Sequence, residues 1–158
     1  MVSDSHGNNE NVRKAIEKAG KIDYMFHCGD VGVNYTEVER MAGVLTYIVA
    51  GNCDSGTGLL RENVIHVGKH KIFMVHGHMQ AVLAGLNILR YKALEEGCDI
   101  ALYGHTHVPF LSEAQGDGDV TILNPGSISL PRQEDRKKTF AIIEIDDNDK
   151  VSYKFDNI

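Results

Sequence analysis

Apolar residues recur at helical spacing in two long segments of the chain. Val12, Ala15, Ile16 and Ala19 share one face of residues 9–19, and Gly20 is placed to end that helix. A second stripe predicts a helix over residues 79–96, with Gly97 as its stop, and consists of Val82, Leu86, Leu89 and Ala93. We interpret this stripe as core.

Short apolar runs predict strands that alternate with these helices. The first two thirds of the chain contain candidate strands at residues 24–27, 45–50, 64–67, 72–75 and 100–103, and a short helix at 36–42 capped by Thr36. The last third is mostly strand, at residues 108–114, 119–123, 139–145 and 151–155. The pattern predicts an α/β fold, and residues 1–158 are interpreted as one domain.

The strand predicted before Asp4 is unusually short. Only Met1, Val2 and Ser3 precede the first polar motif, whereas a strand of about five residues is usual. Either this strand is truncated or the natural start lies upstream, and the pattern leaves both open.

Composition narrows the class of protein. The chain has 158 residues, 42% of them hydrophobic and 24% charged, which is ordinary for a globular domain. A net charge of -6 argues against stable nucleic-acid binding, although bound metals could still attract a phosphate. Three widely spaced cysteines indicate free thiols, and no signal peptide or membrane-spanning run is present. We therefore expect a soluble cytoplasmic protein without membrane contact.

Polar motifs follow five of the predicted strands, each just past the strand's carboxyl end. They are Asp4-Ser5-His6, Gly29-Asp30, Gly51-Asn52, His76-Gly77-His78 and Gly104-His105-Thr106-His107. In an open α/β sheet these ends converge on the ligand-binding edge, and glycine allows the backbone to approach closely.

The residue types in these motifs suit metal binding. Carboxylate, imidazole and amide groups fit manganese, iron, nickel, cobalt or zinc. A single carboxylate such as Asp30 can bridge two cations about 3.5–4 Å apart. Each motif alone is weak, but the five together in this order are highly specific. The predicted ligands are Asp4, His6, Asp30, Asn52, His76, His105 and His107.

This series of motifs resembles the calcineurin-like metallophosphoesterases. Their motif order is Asp-x-His, Gly-Asp, Gly-Asn-His-(Asp/Glu), a lone His and Gly-His-x-His. The short chain and the variant Gly51-Asn52-Cys53-Asp54 resemble the small bacterial YfcE-type phosphodiesterases, and Asn124-Pro125-Gly126-Ser127 also looks like a family feature. The resemblance implies a four-layer αββα sandwich.

The resemblance also implies a binuclear centre. One metal would be held by Asp4, His6, Asp30 and His107, and the other by Asp30, Asn52, His76 and His105. Manganese is the first expectation, with nickel, zinc, iron or cobalt as alternatives. With a bridging hydroxide the site carries a single positive charge, which suits a small phosphodiester hydrolysed by in-line attack.

Cys53 departs from the family pattern, because many relatives have histidine at this position. A thiol can donate a proton but binds phosphate poorly. His78, two residues after a predicted ligand, is the other candidate for the catalytic acid.

Two other functions compete with this interpretation. A catalytically weak scaffold of the same fold, like the retromer scaffold subunit, would have a compromised ligand set, whereas this set is complete. A metallo-β-lactamase-type hydrolase would require His-x-His-x-Asp-His, which is absent. The physiological substrate and the oligomeric state, including a homodimer or homotetramer, stay open.

The remaining polar residues receive structural interpretations. Asp54 is expected to cap a turn more than to anchor a loop, and His27 to be a hydrogen-bonded core residue. His66 and His70 should be solvated beside a turn, and Cys28 and Cys98 buried. The basic residues form a solvated loop, with a phosphate contact as the alternative, and are Arg132, Arg136, Lys137 and Lys138.

Overall fold

The computed structural model describes residues 1–158 and contains three helices and nine strands. The helices are α1 (Asn9–Ala19), α2 (Tyr35–Ala42) and α3 (Asn87–Glu95). The strands are β1 (Tyr24–His27), β2 (Leu45–Ile48), β3 (Glu62–Val67), β4 (His70–Val75), β5 (Ile100–Leu102), β6 (Pro109–Ser112), β7 (Thr121–Pro125), β8 (Thr139–Ile145) and β9 (Val151–Asn157). Every predicted strand is therefore confirmed, with ends that differ by a few residues.

Helices α1 and α2 agree with the sequence pattern except at one cap. The bounds of α1 are those predicted, and the Gly20 amide donates to the Ile16 carbonyl at its end. In α2 the predicted cap Thr36 lies inside the first turn, and the N-cap is Asn34, without a side-chain cap. The prediction was wrong because the helix begins one residue earlier, at Tyr35.

The predicted helix over residues 79–96 begins only at Asn87. Residues 79–84 form turns in which Val82 donates to the Gly77 carbonyl, and Ala81 and Gly85 have positive φ angles of 51° and 146°. Such angles interrupt a right-handed helix, so periodicity overestimated its length. The apolar stripe is nevertheless core, since Val82, Leu86, Leu89 and Ala93 belong to one cluster.

The strands form one five-stranded sheet and two two-stranded pairs, and the N-terminal stub joins the two pairs into a second layer. The larger sheet has the order β3-β4-β5-β7-β6, with β4, β5 and β7 parallel and the two outer strands antiparallel. In the second layer β1 and β2 are parallel, β8 and β9 are antiparallel, and the stub Met1–Val2 lies between β1 and β8. Val2 bridges to His27, and the Met1 ammonium donates to the Ala141 carbonyl at 2.9 Å. The short first strand thus joins the two halves of this layer.

Three apolar cores separate four layers. Val12 of α1 and Val38 of α2 pack against Met25 of β1 in one core, and Leu89 of α3 packs against Phe73 of β4 in another. The central core lies between the sheets and contains Phe26, Ile72, Met74, Ile100, Leu102, Leu123 and Ala141. Successive strand residues point to opposite faces, so one strand serves two cores. The four-layer αββα sandwich is confirmed.

The helices have no membrane-spanning character. The longest, α1, has 11 residues, and no helix combines the length and apolar character that a span requires.

Candidate metal centre

The carboxyl ends of strands from both sheets meet at one edge of the sandwich. Asp4 follows the stub, Asp30 follows β1, His76 follows β4, and His105 and His107 follow β5. Backbone hydrogen bonds join these segments: the Asp4 amide donates to Gly29, the His6 amide to Asp30, and the Gly104 amide to the His76 carbonyl. The predicted convergence of the motifs is therefore present.

The backbone at this edge is strained. Eight residues other than glycine have a positive φ, and five of these are predicted ligands. The angles lie between 48° and 67° for Asp4, His6, Asp30, His105 and His107. An L-residue in this conformation is uncommon, and each instance persists only where the surroundings enforce it. The fold holds these side chains in orientations that a relaxed backbone would not give them.

Two glycines allow the loops to approach each other. A Cβ at Gly51 would overlap the Asp30 carboxylate, and a Cβ at Gly104 would overlap the Ser3 hydroxyl. Neither neighbour can retreat without moving a predicted ligand, because the Ser3 hydroxyl donates to Asp4 Oδ2 at 2.6 Å. Close approach, as expected from the sequence, explains these glycines.

The side-chain atoms of the site face one another at ligand-sharing distances. Asp4 Oδ1 lies 3.1 Å from His107 Nε2 and 3.9 Å from His76 Nε2. Asp30 Oδ2 lies 3.6 Å from His76 Nε2 and 3.9 Å from His6 Nε2. Two atoms that bind one cation at about 2.1 Å, roughly at right angles, lie about 3 Å apart. Asp30 is central, because its Oδ2 faces histidines of both predicted metal positions.

Three of these atoms are buried without a hydrogen-bond partner: Asp4 Oδ1, His6 Nε2 and His76 Nε2. His76 Nδ1 lies 2.7 Å from the Cys28 carbonyl, and His107 Nδ1 lies 2.6 Å from the Leu130 carbonyl. A carbonyl only accepts, so each Nδ1 must carry the proton, which leaves Nε2 as a lone pair in the neutral ring. Buried acceptors that face one another require a cation or a proton between them. The donor set therefore fits divalent metals.

The charges of the site support the same conclusion. Burial favours the neutral form of Asp4, but the proximity of His107, whose Nε2 is 3.1 Å away, and of His76 outweighs it, so the pKa of Asp4 is lowered. Burial also disfavours the charged form of His107, yet contact with Asp4 raises its pKa. Burial and the neighbouring His76 lower the pKa of His105. Asp4 is thus available as a carboxylate ligand.

Asn52 and His105 lie further out than the other predicted ligands. The His105 ring is 5.1 Å from the His76 ring, and its backbone amide donates to Asp4 Oδ2 at 3.1 Å. The Asn52 side chain is exposed, and its amide contacts the Cys53 sulfur at 3.3 Å. The fold therefore brings Asp4, His6, Asp30, His76 and His107 into direct proximity, with Asn52 at the rim.

The two candidate catalytic residues lie beside this cluster. The Cys53 sulfur is within 4.8 Å of ligand atoms of His6 and Asp30, so it is also a candidate ligand that the sequence analysis did not name. Burial and the Asp30 carboxylate raise the pKa of the Cys53 thiol to about 11. The His78 ring is 5.4 Å from His76, and burial lowers its pKa. Both side chains face the site.

Asp54 was wrongly expected to serve mainly as a turn cap. It is buried and accepts from the amides of Val31 at 3.1 Å, Gly32 at 2.8 Å and Gly51 at 2.8 Å. These amides belong to the loops that follow β1 and β2, so Asp54 fixes the loop of Asp30 to that of Asn52. A carboxylate that accepts three amides acts through tertiary contacts, which local turn chemistry could not reveal.

Asn124 and Ser127 support the site from the segment after β7. The Asn124 amide donates to the Gly104 carbonyl at 2.8 Å and to Thr106 at 3.0 Å. The Ser127 hydroxyl donates to the Asp4 carbonyl at 2.8 Å. The sequence marks this segment as a family feature but does not indicate its role. Its role is to hold two ligand loops in place.

The other structural interpretations are confirmed with one exception. His27 is buried with its Nε2 2.8 Å from the Ser5 hydroxyl, and Cys28 and Cys98 are buried. The basic loop is solvated, and the exception is His70, which is 9% exposed. Its Nδ1 lies 2.5 Å from Asp99 and its Nε2 lies 2.9 Å from the Asp149 carbonyl. Pairing extends β4 to His70, and the last turn of the chain then covers the ring.

Known proteins resemble this chain in sequence and fold. The probable metallophosphoesterase YsnB of Bacillus subtilis is 33% identical over 158 residues, 98% of this chain and 88% of that protein. The phosphodiesterase YfcE of Escherichia coli is 35% identical over 104 residues, 60% of this chain and 51% of that protein.

Two solved structures have the same fold. A predicted phosphoesterase from Streptococcus pneumoniae superposes with a TM-score of 0.79 at 32% identity, covering 99% of this chain and 95% of that one. Vacuolar protein sorting 29 from Cryptosporidium parvum superposes with a TM-score of 0.72 at 22% identity, covering 99% and 95%, and at this identity shows the fold alone. Residues 1–148 also match the model of the calcineurin-like phosphoesterase superfamily domain. The chain therefore belongs to the calcineurin-like phosphoesterase superfamily, as a member of the small YfcE type.

Proposed function

We propose that this chain is a phosphodiesterase whose centre holds two divalent cations, with manganese as the first candidate. The observation that carries the proposal is the set of buried polar atoms without hydrogen-bond partners, on Asp4, His6 and His76, which lie close to one another and to Asp30. Nitrogen and oxygen donors of this kind suit manganese and its neighbours, iron, cobalt, nickel and zinc. The ligands are Asp4, His6, Asp30, Asn52, His76, His105 and His107.

Each residue has a definite task in the proposed reaction. Asp30 directs one carboxylate oxygen towards both metal positions, while its other oxygen accepts from the Cys53 amide at 2.8 Å. The Cys28 and Leu130 carbonyls orient His76 and His107, which makes these ligands better electron donors. When bound, a pair of divalent cations supplies the charge that activates water and stabilises the phosphoryl group. The chain itself positions the reactants for in-line displacement.

Cys53 and His78 stay the two candidates for the acid that protonates the leaving group. Both side chains lie beside the predicted ligands, with the Cys53 sulfur near His6 and Asp30 and the His78 ring 5.4 Å from the His76 ring. A thiol whose pKa is about 11 is a weak acid at neutral pH, and a leaving group that needs little protonation would suit it. We therefore expect aryl phosphodiesters to react faster than alkyl ones beyond their intrinsic difference.

The alternative is a scaffold of this fold that does not turn over substrate. The fold itself does not distinguish the two functions. The complete set of ligand types, and the orphaned atoms in particular, favour the enzyme, because unpartnered buried polar groups cost stability unless they bind something.

The test is a rate screen of metal-stripped protein reloaded with each cation, against aryl diesters, alkyl diesters and phosphomonoesters. We expect the highest kcat/KM on an aryl diester, with no activity in the presence of a chelator. If no cation supports hydrolysis, the proposed phosphodiesterase function is contradicted.

Asp30→Asn should lose binuclear metal binding more severely than Asn52→Ala, because Asp30 is the charged bridge whereas Asn52 is neutral. Elemental analysis measures the stoichiometry. If both variants bind the same number of metal ions, the proposed bridging role of Asp30 is contradicted.

A further inference from the structure

A polar cavity of about 290 Å³ adjoins the proposed metal centre. The cavity is lined by the loop after β2, by Arg61 and by His78, so it shares Asn52 and His78 with the site. Its lining includes only two apolar residues, Ala50 and Leu59. A cavity of this size and polarity can receive a group about as large as one nucleotide, and it offers little to an apolar substituent.

Arg61 carries the free charge of this cavity. Asp54 also lines it, but its carboxylate is buried and already accepts from three backbone amides. The Arg61 guanidinium has no carboxylate oxygen within 4.0 Å, and its one hydrogen bond goes to the Met79 sulfur at 3.5 Å. The neighbouring Glu62 is instead engaged by Lys92 at 3.6 Å. The cavity therefore presents a positive charge that nothing in the chain neutralises.

His78 adds a further unpaired polar group to the lining of the cavity. His78 Nδ1 is buried without a hydrogen-bond partner, and its ring lies 6.1 Å from the His105 ring. A guanidinium presents several donors in one plane and matches phosphate or carboxylate oxygens. An anionic group bound here would lie beside the metal centre and would be a different group from the phosphate undergoing hydrolysis.

We infer that Arg61 is a specificity-determining residue, and that the preferred substrates are phosphodiesters whose ester substituent carries a second anionic group. This inference rests on the proposed phosphodiesterase function and names the substrate class of that same site. The scissile phosphate would occupy the metal centre, while the substituent enters the cavity and its phosphate or carboxylate contacts Arg61.

The test compares two dinucleotides that differ by one anionic group: dithymidine monophosphate, and the same molecule with a 5′-phosphate. With the metal-loaded enzyme we expect the phosphorylated form to have a kcat/KM about tenfold higher, mainly through KM. That is the low end of what a hydrogen bond to a charged group contributes, because Arg61 is exposed. Arg61→Gln should bring the ratio close to one, and Arg61→Lys should restore part of it.

Arg132→Gln is the matched control. Arg132 is exposed, and its backbone amide donates to the His107 carbonyl, so its substitution removes a positive charge near the same site on a different loop. We expect it to leave the substrate ratio within about twofold, whereas a purely long-range charge effect would lower the ratio in both variants alike.

The outcomes separate this inference from the proposed function. Metal-dependent hydrolysis of both dinucleotides with a wild-type ratio near one, or a ratio unchanged by Arg61→Gln, would overturn the inference and leave the function standing. An equal loss on both substrates in Arg61→Gln, with reduced metal content, would assign Arg61 a structural role and overturn the inference too. No hydrolysis of either dinucleotide by a metal-loaded enzyme that hydrolyses an aryl diester would overturn the inference alone. No hydrolysis of the dinucleotides or of the aryl diester with any cation would overturn the function and the inference together.

Discussion

Strand β4 has a buried histidine at each end, and the two histidines differ in how many of their ring nitrogens have a hydrogen-bond partner. His70 begins the strand, and both of its ring nitrogens have partners, Asp99 and the Asp149 carbonyl. His76 follows the strand, and only its Nδ1 has a partner, the Cys28 carbonyl, while its Nε2 is buried without one. The satisfied ring of His70 is a structural element, whereas the bare Nε2 of His76 faces the carboxylates of Asp4 and Asp30, which is the arrangement of a metal ligand. Burial alone would not separate them.

The surroundings extend this contrast. At the His76 end the backbone of five predicted ligands is in the left-handed region, and several acceptors face one another. At the His70 end the carboxylate of Asp99 accepts from both the His70 ring and the Lys71 amide, at 2.5 Å and 2.8 Å. Strain and unsatisfied atoms therefore accumulate at one end of the sandwich, where a bound cation would compensate for them.

The largest effect should come from exchanging each histidine for glutamine. His76→Gln removes a nitrogen that faces Asp4 and Asp30, and we expect more than about a 100-fold loss of activity, since even residues that only support ligands contribute 10–100-fold. His70→Gln should keep activity within about twofold. Metal content by elemental analysis and kcat/KM on an aryl diester measure both. A similar loss in the two variants would remove the distinction drawn between them.

An intermediate effect is expected for the carboxylates that support each region. Asp54→Asn replaces an acceptor of three amides with a group that has only one carbonyl oxygen, so the loops of Asp30 and Asn52 should loosen and manganese affinity should fall about 10–100-fold. Asp99→Asn, the matched control at the other end, should leave the affinity unchanged. Titration calorimetry measures the affinities. Unchanged binding in Asp54→Asn would show that the loops hold without this anchor.

The smallest effect concerns the pH dependence of stability. Burial disfavours the charged form of His70, but contact with Asp99 and the Asp149 carbonyl outweighs it, so its pKa is raised. A raised pKa stabilises the folded protein below the unfolded value near 6.5, and this contribution is lost as the pH rises through the folded value. His70→Gln should therefore cost about 1 kcal/mol more at pH 5.5 than at pH 8.5, the difference between a charged and a neutral hydrogen bond.

Urea unfolding in the presence of a chelator measures this difference without a contribution from metal binding. An equal cost at both pH values would mean that folding leaves the pKa of His70 unchanged and would contradict the prediction.

The sequence by itself determined the order of elements and predicted which residues would gather at one edge of the sandwich. Short apolar runs located all nine strands, and the helical spacing of apolar residues located α1. The polar motifs were recognisable as a site because each follows a strand, and parallel strands bring their carboxyl ends to one edge of a sheet. Asp4, Asp30 and His107 could be named from their positions alone.

Only the tertiary structure decided how these groups are held and which lie at the centre. The left-handed Ala81 and the turn before α3 shortened a helix that periodicity extended to residue 79. The partners of His70, the three amides on Asp54 and the placement of Arg61 beside His78 depend on contacts between segments far apart in the chain. Local patterns record which face of an element is buried, whereas the hydrogen-bond partner of a side chain is a property of the assembled fold.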